Sequence, residues 1–118
     1  MHEMAVTKDI LDIVLKYAAA NNAKQVLGVG LKIGELRDVV DDYMQRFFNY
    51  LSRDTIADGA KLKIEHAPII FRCSCGETFQ VSIKRVMSSK PTICPYCSGR
   101  NAVLNSGQEF EIIGIEVI

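Results

Sequence analysis

Val6, Ile10, Ile13, Val14, Tyr17 and Ala18 recur at helical spacing near the start of the chain, with Lys8, Asp9, Asp12 and Lys16 falling mostly between them. That period predicts an amphipathic helix with those six residues toward a core. Asn21 and Asn22 are poor helix formers and predict its end. The period then drops to two. Leu27, Val29, Leu31 and Ile33 point one way and Gly28, Gly30 and Lys32 the other, which predicts a strand with one face built for a core. The two glycines on its back face leave room for close packing or simply face solvent. Gly34 closes the strand, and Asp38 is the expected N-cap of a second helix. Asp41 and Asp42 in its first turn suit the positive end of the helix dipole. Val40, Tyr43, Met44, Phe47, Tyr50 and Leu51 give that helix a broad apolar face. Asp58-Gly59 signals a turn, and Leu62 and Ile64 begin a second strand.

Pro68 marks a change of texture. From about Ile69 to Gly107 the chain holds all four cysteines, two of its three prolines and few large aliphatic side chains. Such a segment buries little apolar surface and needs a metal staple. Residues 109–118 then read as a strand with Phe110, Ile112, Ile113, Ile115, Val117 and Ile118 on both faces. A strand so apolar is expected to pair with the N-terminal sheet and to be covered on both sides. The expected fold is α+β: a small sheet of about three strands with two helices, plus an inserted four-cysteine, zinc-ribbon-like module. The α+β domain takes residues 1–68 with 107–118, and the module residues 69–106.

Charge refines this picture. The 118 residues carry no formal net charge, which weighs against a general nucleic-acid binder. The balance is uneven, with nine basic and ten acidic side chains in residues 1–71, five and one in 72–100, and none and three in 101–118. No stretch approaches the roughly 20 apolar residues of a membrane span. No basic n-region precedes an apolar h-region, so the expected location is the cytoplasm, where paired cysteines bind metal more often than they form disulfides.

The cysteines stand as Cys73-Ser74-Cys75-Gly76 and Cys94-Pro95-Tyr96-Cys97-Ser98-Gly99, with eighteen residues between Cys75 and Cys94. Two close pairs at this separation suit a tetrahedral sulfur site. Thiolate softness selects zinc or iron over harder cations, and zinc is expected. With four sulfurs no coordination position is left for substrate, so the site is read as structural. Cys94-Pro95-Tyr96-Cys97 also matches the glutaredoxin active-site tetrapeptide. That chemistry needs its first cysteine at a helix N-terminus, and Ser98-Gly99-Arg100-Asn101 is a poor opening for a helix.

Three features together resemble the HypA-type (HypA/HybF) nickel metallochaperones of hydrogenase maturation. They are Met1-His2-Glu3-Met4, Leu31-Lys32-Ile33-Gly34-Glu35-Leu36, and the paired cysteines before an apolar C-terminal strand. The chain departs from the family in Cys73-Ser74-Cys75, where two residues commonly separate the pair. The resemblance implies that nickel(II) binds at the N-terminus through His2. The donors would be the terminal amine of Met1, the amide and imidazole of His2, and the amide of Glu3. The chemistry agrees: amine, amide and imidazole close fused five- and six-membered chelate rings in one plane, which suits nickel(II) or copper(II). The resemblance further implies two protein partners, a HypB-type maturation GTPase and the hydrogenase large subunit, and in some organisms a contribution to urease.

Other residues have plainer readings. The Glu3 side chain suits a helix start, Glu35 a structural or partner contact, and His66 a structural position beside Ala67-Pro68. Lys84, Arg85, Lys90 and Arg100 form either a solvated face or a docking surface for an acidic partner. No phosphate loop or nucleophile–base pair is present in the sequence, so a non-enzymatic protein is expected. The competing reading is a zinc-ribbon adaptor that binds protein or nucleic acid and carries no nickel.

Overall fold

The computed structural model describes residues 3–88 and 90–118. Its elements are α1 (Glu3–Ala20), β1 (Val26–Gly34), a 3-10 turn (Glu35–Arg37), α2 (Asp41–Leu51), β2 (Lys61–Ala67), β3 (Ile70–Cys73), β4 (Thr78–Gln80), α3 (Ile83–Met87), β5 (Ala102–Ser106) and β6 (Phe110–Val117). They build an α+β fold with two three-stranded sheets, ordered β2-β1-β6 and β4-β3-β5. The chain divides into two compact units. The first takes the chain up to Lys32, Val39–Glu65 and Phe110–Ile118, and the second Ile33–Asp38 and His66–Glu109. Residues 33–38 therefore go with the cysteine segment, whereas the sequence had placed them with the helices.

In the first unit α1 packs against α2 and β6. The buried face of α1 is Thr7, Ile10, Leu11, Val14 and Ala18, and this corrects the expected stripe. Ile13 and Tyr17 are about half exposed, and Leu11 takes the core position instead. Thr7 passes as a core residue because its hydroxyl donates to the Glu3 carbonyl one turn back. α1 ends as expected before Asn21, and Asn22 adopts a left-handed φ of 52°.

The second helix also turns differently from its expected face. Met44 and Phe48, one turn apart, are fully buried; Val40, Tyr43 and Tyr50 are exposed, and Phe47 and Leu51 are half-buried. Arginines cover the two tyrosine rings, Arg46 at 6.0 Å from the Tyr43 centroid and Arg53 at 4.5 Å from Tyr50. A tyrosine can thus lie at the surface with its ring shielded and its hydroxyl wet. Asp38 is not the N-cap. It closes the 3-10 turn in a left-handed conformation, and Val40 precedes α2 without a side-chain cap. Asp41 and Asp42 do occupy the first turn.

β1 buries Val29 and Leu31, while Leu27 is 38% exposed. Its back-face glycines make room for neighbouring strands. A Cβ on Gly28 would come within 3.2 Å of Glu116 Oε2, and one on Gly30 within 3.3 Å of Ile113 Cγ1. β6 pairs beside β1 as expected, but the expected two-sided cover fails. It is an edge strand in which no residue is fully buried, and Ile113 is 53% exposed.

The second unit has its own antiparallel sheet. Phe71 on the central strand β3 stands opposite Phe79 on β4, their rings stacked with centroids 6.0 Å apart, and opposite Leu104 on β5. The register shifts between Ile70 and Phe71. α3 starts at Ser82, whose Oγ accepts the Arg85 amide at 3.2 Å. The larger buried aliphatic side chains are few here: Ile33, Ile69 and Val81.

Candidate metal centre

Two tight backbone turns carry the cysteine pairs. In the first, at the end of β3, the Cys73 amide donates to the Glu77 carbonyl at 2.9 Å and the Gly76 amide to the Cys73 carbonyl at 2.9 Å. Gly76 sits at φ 94°, a conformation that costs a side-chain-bearing residue energy. In the second, the Cys94 amide donates to Gly99 at 3.0 Å and the Ser98 amide to Cys94 at 2.9 Å, with Ser98 at φ 60°. The single residue between Cys73 and Cys75 does not prevent convergence.

All four sulfurs lie within 4.8 Å of one another. Cys73 and Cys97 approach to 3.5 Å and Cys75 and Cys94 to 3.8 Å. A zinc–thiolate bond of about 2.3 Å in a tetrahedron implies sulfurs about 3.8 Å apart, so this donor set fits a four-sulfur metal ion. A disulfide needs sulfurs about 2.05 Å apart, and all four cysteines are free. Cys73 and Cys94 are buried and Cys75 and Cys97 exposed. Backbone amides already point at two sulfurs, Tyr96 N–H at Cys94 (3.4 Å) and Gly99 N–H at Cys97 (3.3 Å). Such donors stabilise a thiolate and orient it toward a metal.

Crowding four thiols sets their proton affinities apart. The Cys75 amide, against the opposing effect of burial and with help from the neighbouring sulfurs, draws Cys73 down to about 7. For Cys97 the Gly99 amide pulls downward, yet the nearby Cys73 thiol, burial and the other two sulfurs together push it up to about 12. Cys75 is also raised: the Glu77 amide favours its thiolate, but burial and the Cys73 and Cys94 sulfurs outweigh it. Sulfurs this close hold back one another's ionisation, and a cation among them removes that penalty.

The redox alternative fails on local structure. Cys94–Cys97 lies in a turn between α3 and β5, and no helix starts there.

Comparison with known proteins now decides the family. A family model described as hydrogenase/urease nickel incorporation, metallochaperone, hypA, matches residues 1–117. The chain belongs to the HypA family. It is 39% identical to the hydrogenase maturation factor HypA of Dehalococcoides mccartyi (strain CBDB1), over 99% of this chain and 94% of that protein. It is 34% identical to that of Chlorobaculum parvum, over 99% of each. The fold is similar to the solution structure of the Ni metallochaperone HypA from Helicobacter pylori, with a TM-score of 0.64, 19% identity, and 100% and 98% of the two chains covered. A second solution structure, of HypA protein, gives a TM-score of 0.72 at 20% identity, covering 100% and 97%. The family is one of metallochaperones, not enzymes.

Of the remaining sequence candidates, Met1 and His2 lie outside the described residues. Glu3 is the first residue of α1 and its acidic first-turn side chain, as expected. His66 lies exposed near the end of β2. Glu35 opens the 3-10 turn, and its carbonyl accepts the Asp38 amide at 3.2 Å.

The Leu31–Leu36 motif has a structural explanation that the sequence alone did not reveal. Leu31 and Ile33 are buried, and the segment after them is clasped to residues 107–109. The Gly34 amide donates to Glu109 O at 2.8 Å, Leu36 to Gly107 O at 2.9 Å, and Arg37 Nε to Gln108 O at 2.8 Å. A Cβ on Gly34 would overlap the Gly107 carbonyl, so the motif's glycine is required by a backbone approach. The partner segment is 71 residues away in sequence, and no local signal points to it.

Proposed function

We propose that this chain is a nickel metallochaperone for maturation of nickel–iron hydrogenase, with a structural zinc ion on Cys73, Cys75, Cys94 and Cys97. The observation that carries the reading is a four-sulfur cluster of tetrahedral dimensions within a chain that matches the metallochaperone family from residue 1 to 117. Zinc supplies cross-linking and charge neutralisation there, and four thiolates leave it no position for substrate.

Nickel is the cargo in this reading. The Met1 amine, the His2 amide and imidazole, and the Glu3 amide would hold it in a plane. The position of Glu3 supports this. At the first residue of α1, its N–H is one of the four that a helix leaves without an internal partner. The protein partners in this proposal are a HypB-type GTPase and the hydrogenase large subunit, and the setting is cytoplasmic. No helix among the described residues is long and apolar enough to cross a membrane, which agrees with that setting.

The test is a nickel titration of zinc-loaded protein with a native N-terminus, beside its His2→Ala variant. The expected result is one nickel with a planar, diamagnetic signature in the wild type and none in the variant. Equal binding by both, or by neither, would leave the nickel-free adaptor as the better account. Elemental analysis reads the other metal directly: one zinc per chain is expected, and iron in its place would overturn the assignment.

A further inference from the structure

An open groove of about 340 Å³ lies in the second unit beside the second cysteine turn. Phe79, Val81, Ile93 and Pro95 line it with apolar side chains, and Gln80, Ser82, Arg85 and Thr92 with polar ones. Ile93 is 42% exposed, and with Pro95 it brackets the buried Cys94. One side is formed by β4, which among the described residues is an edge strand beside β3, and a strand edge offers backbone donors and acceptors to an added segment.

Charge indicates what this groove takes. Residues 72–100 carry Arg72, Lys84, Arg85, Lys90 and Arg100 against Glu77 alone. Among the described residues no carboxylate forms an ion pair with Arg85, whose guanidinium is the cationic group lining the groove. We propose that the groove docks an extended acidic segment of a protein partner, with apolar side chains over Val81, Ile93 and Pro95 and a carboxylate on Arg85. This deepens the docking part of the proposed function and rests on it only for who the partner is. A nucleic acid is the less suitable occupant, because tracking phosphates takes a row of cations and Arg85 is the one cation among the residues lining this groove.

The experiment titrates isotope-labelled, metal-loaded, full-length protein with a blocked hexapeptide of alternating Asp and Leu, read by amide chemical shifts at low salt. Counter-probes are the corresponding Lys and Leu peptide and a single-stranded oligonucleotide. Saturable shifts at Val81, Ser82, Arg85 and Ile93 are expected from the acidic peptide alone. Arg85→Glu should weaken it roughly tenfold and shift preference to the basic peptide, with bound metal unchanged. Because the Arg85 side chain is exposed and α3 is capped through backbone and Ser82, this variant keeps its fold. The proposal is overturned if the acidic peptide binds elsewhere or not at all, if Arg85→Glu binds it equally, or if the oligonucleotide binds more tightly. Nickel plays no part in this readout, so failure here and failure of the nickel site are separately visible.

Discussion

Val14, Val26, Val29, Leu31, Met44 and Phe48, none more than 1% exposed, all lie in the helix-and-sheet unit. The cysteine unit buries Ile33, Ile69 and Val81 among its larger aliphatic side chains, and two of its other buried residues are the thiols Cys73 and Cys94. Each fully buried aliphatic or phenyl side chain contributes about 1.5–3 kcal/mol, so the first unit is held by many small terms. The second has few such terms, and a four-sulfur metal site can supply more than all of them; such sites contribute about 10–16 kcal/mol in zinc-finger peptides at neutral pH. Hydrophobic cohesion is spread over the first unit, whereas the second concentrates its cohesion at one point. The two should therefore respond to different insults.

Removing the metal should show the largest difference. Chelation, or Cys94→Ser at the fully buried ligand, is expected to collapse amide dispersion across residues 66–109, while the far-ultraviolet signal of α1 and α2 persists. Coincident loss of both signals would show that the units are not energetically separate. Phe48→Ala tests the other side. A cost of about 3–5 kcal/mol is expected from the lost packing, read as a lower denaturation midpoint with the bound metal unchanged at low denaturant.

Acidification should again separate them. Metal binding must displace protons, including that of Cys97, which is held up to about 12, while Cys73 at about 7 is already largely ionised at mildly alkaline pH. Affinity therefore falls as pH falls, by about tenfold per pH unit for each proton displaced, and steepens below about 7 as Cys73 also takes up its proton. Metal competition assays across that range would show it, and a flat profile would contradict a thiolate site. Gly34→Ala should cost about 1–3 kcal/mol by forcing the 34–37 and 107–109 backbones apart, with its chemical-shift changes confined to the second unit. The smallest effect belongs to Lys63→Ala. Its 3.9 Å ion pair with Glu116 is solvent-exposed on both sides, and thermal denaturation should move by less than about 0.5 kcal/mol.

Much of this chain can be read locally. Periodicity located α1, β1, α2 and β2, and the spacing of Cys73, Cys75, Cys94 and Cys97 was enough to name a metal site, because chelation by paired thiolates is a property of short turns. Helix faces were less legible. Apolar residues cover more of α1 and α2 than a core can bury, so Ile13 and Leu11, or Phe47 and Phe48, compete on equal local terms until a neighbouring element takes one side. The short strands β3 and β4 carry too few residues for a period to be visible, and they exist because β3 has a strand on each side.

The sequence alone therefore determined the type of most elements and the four cysteines able to hold a metal, since each follows from neighbours a few residues away. Tertiary structure decided which residues are buried, that β6 is an edge strand, that Gly34 meets Gly107, and that Arg85 lines a groove beside the second cysteine turn. Those outcomes depend on surfaces brought together across tens of residues, where burial and backbone approach are set by the partner and not by the local chain.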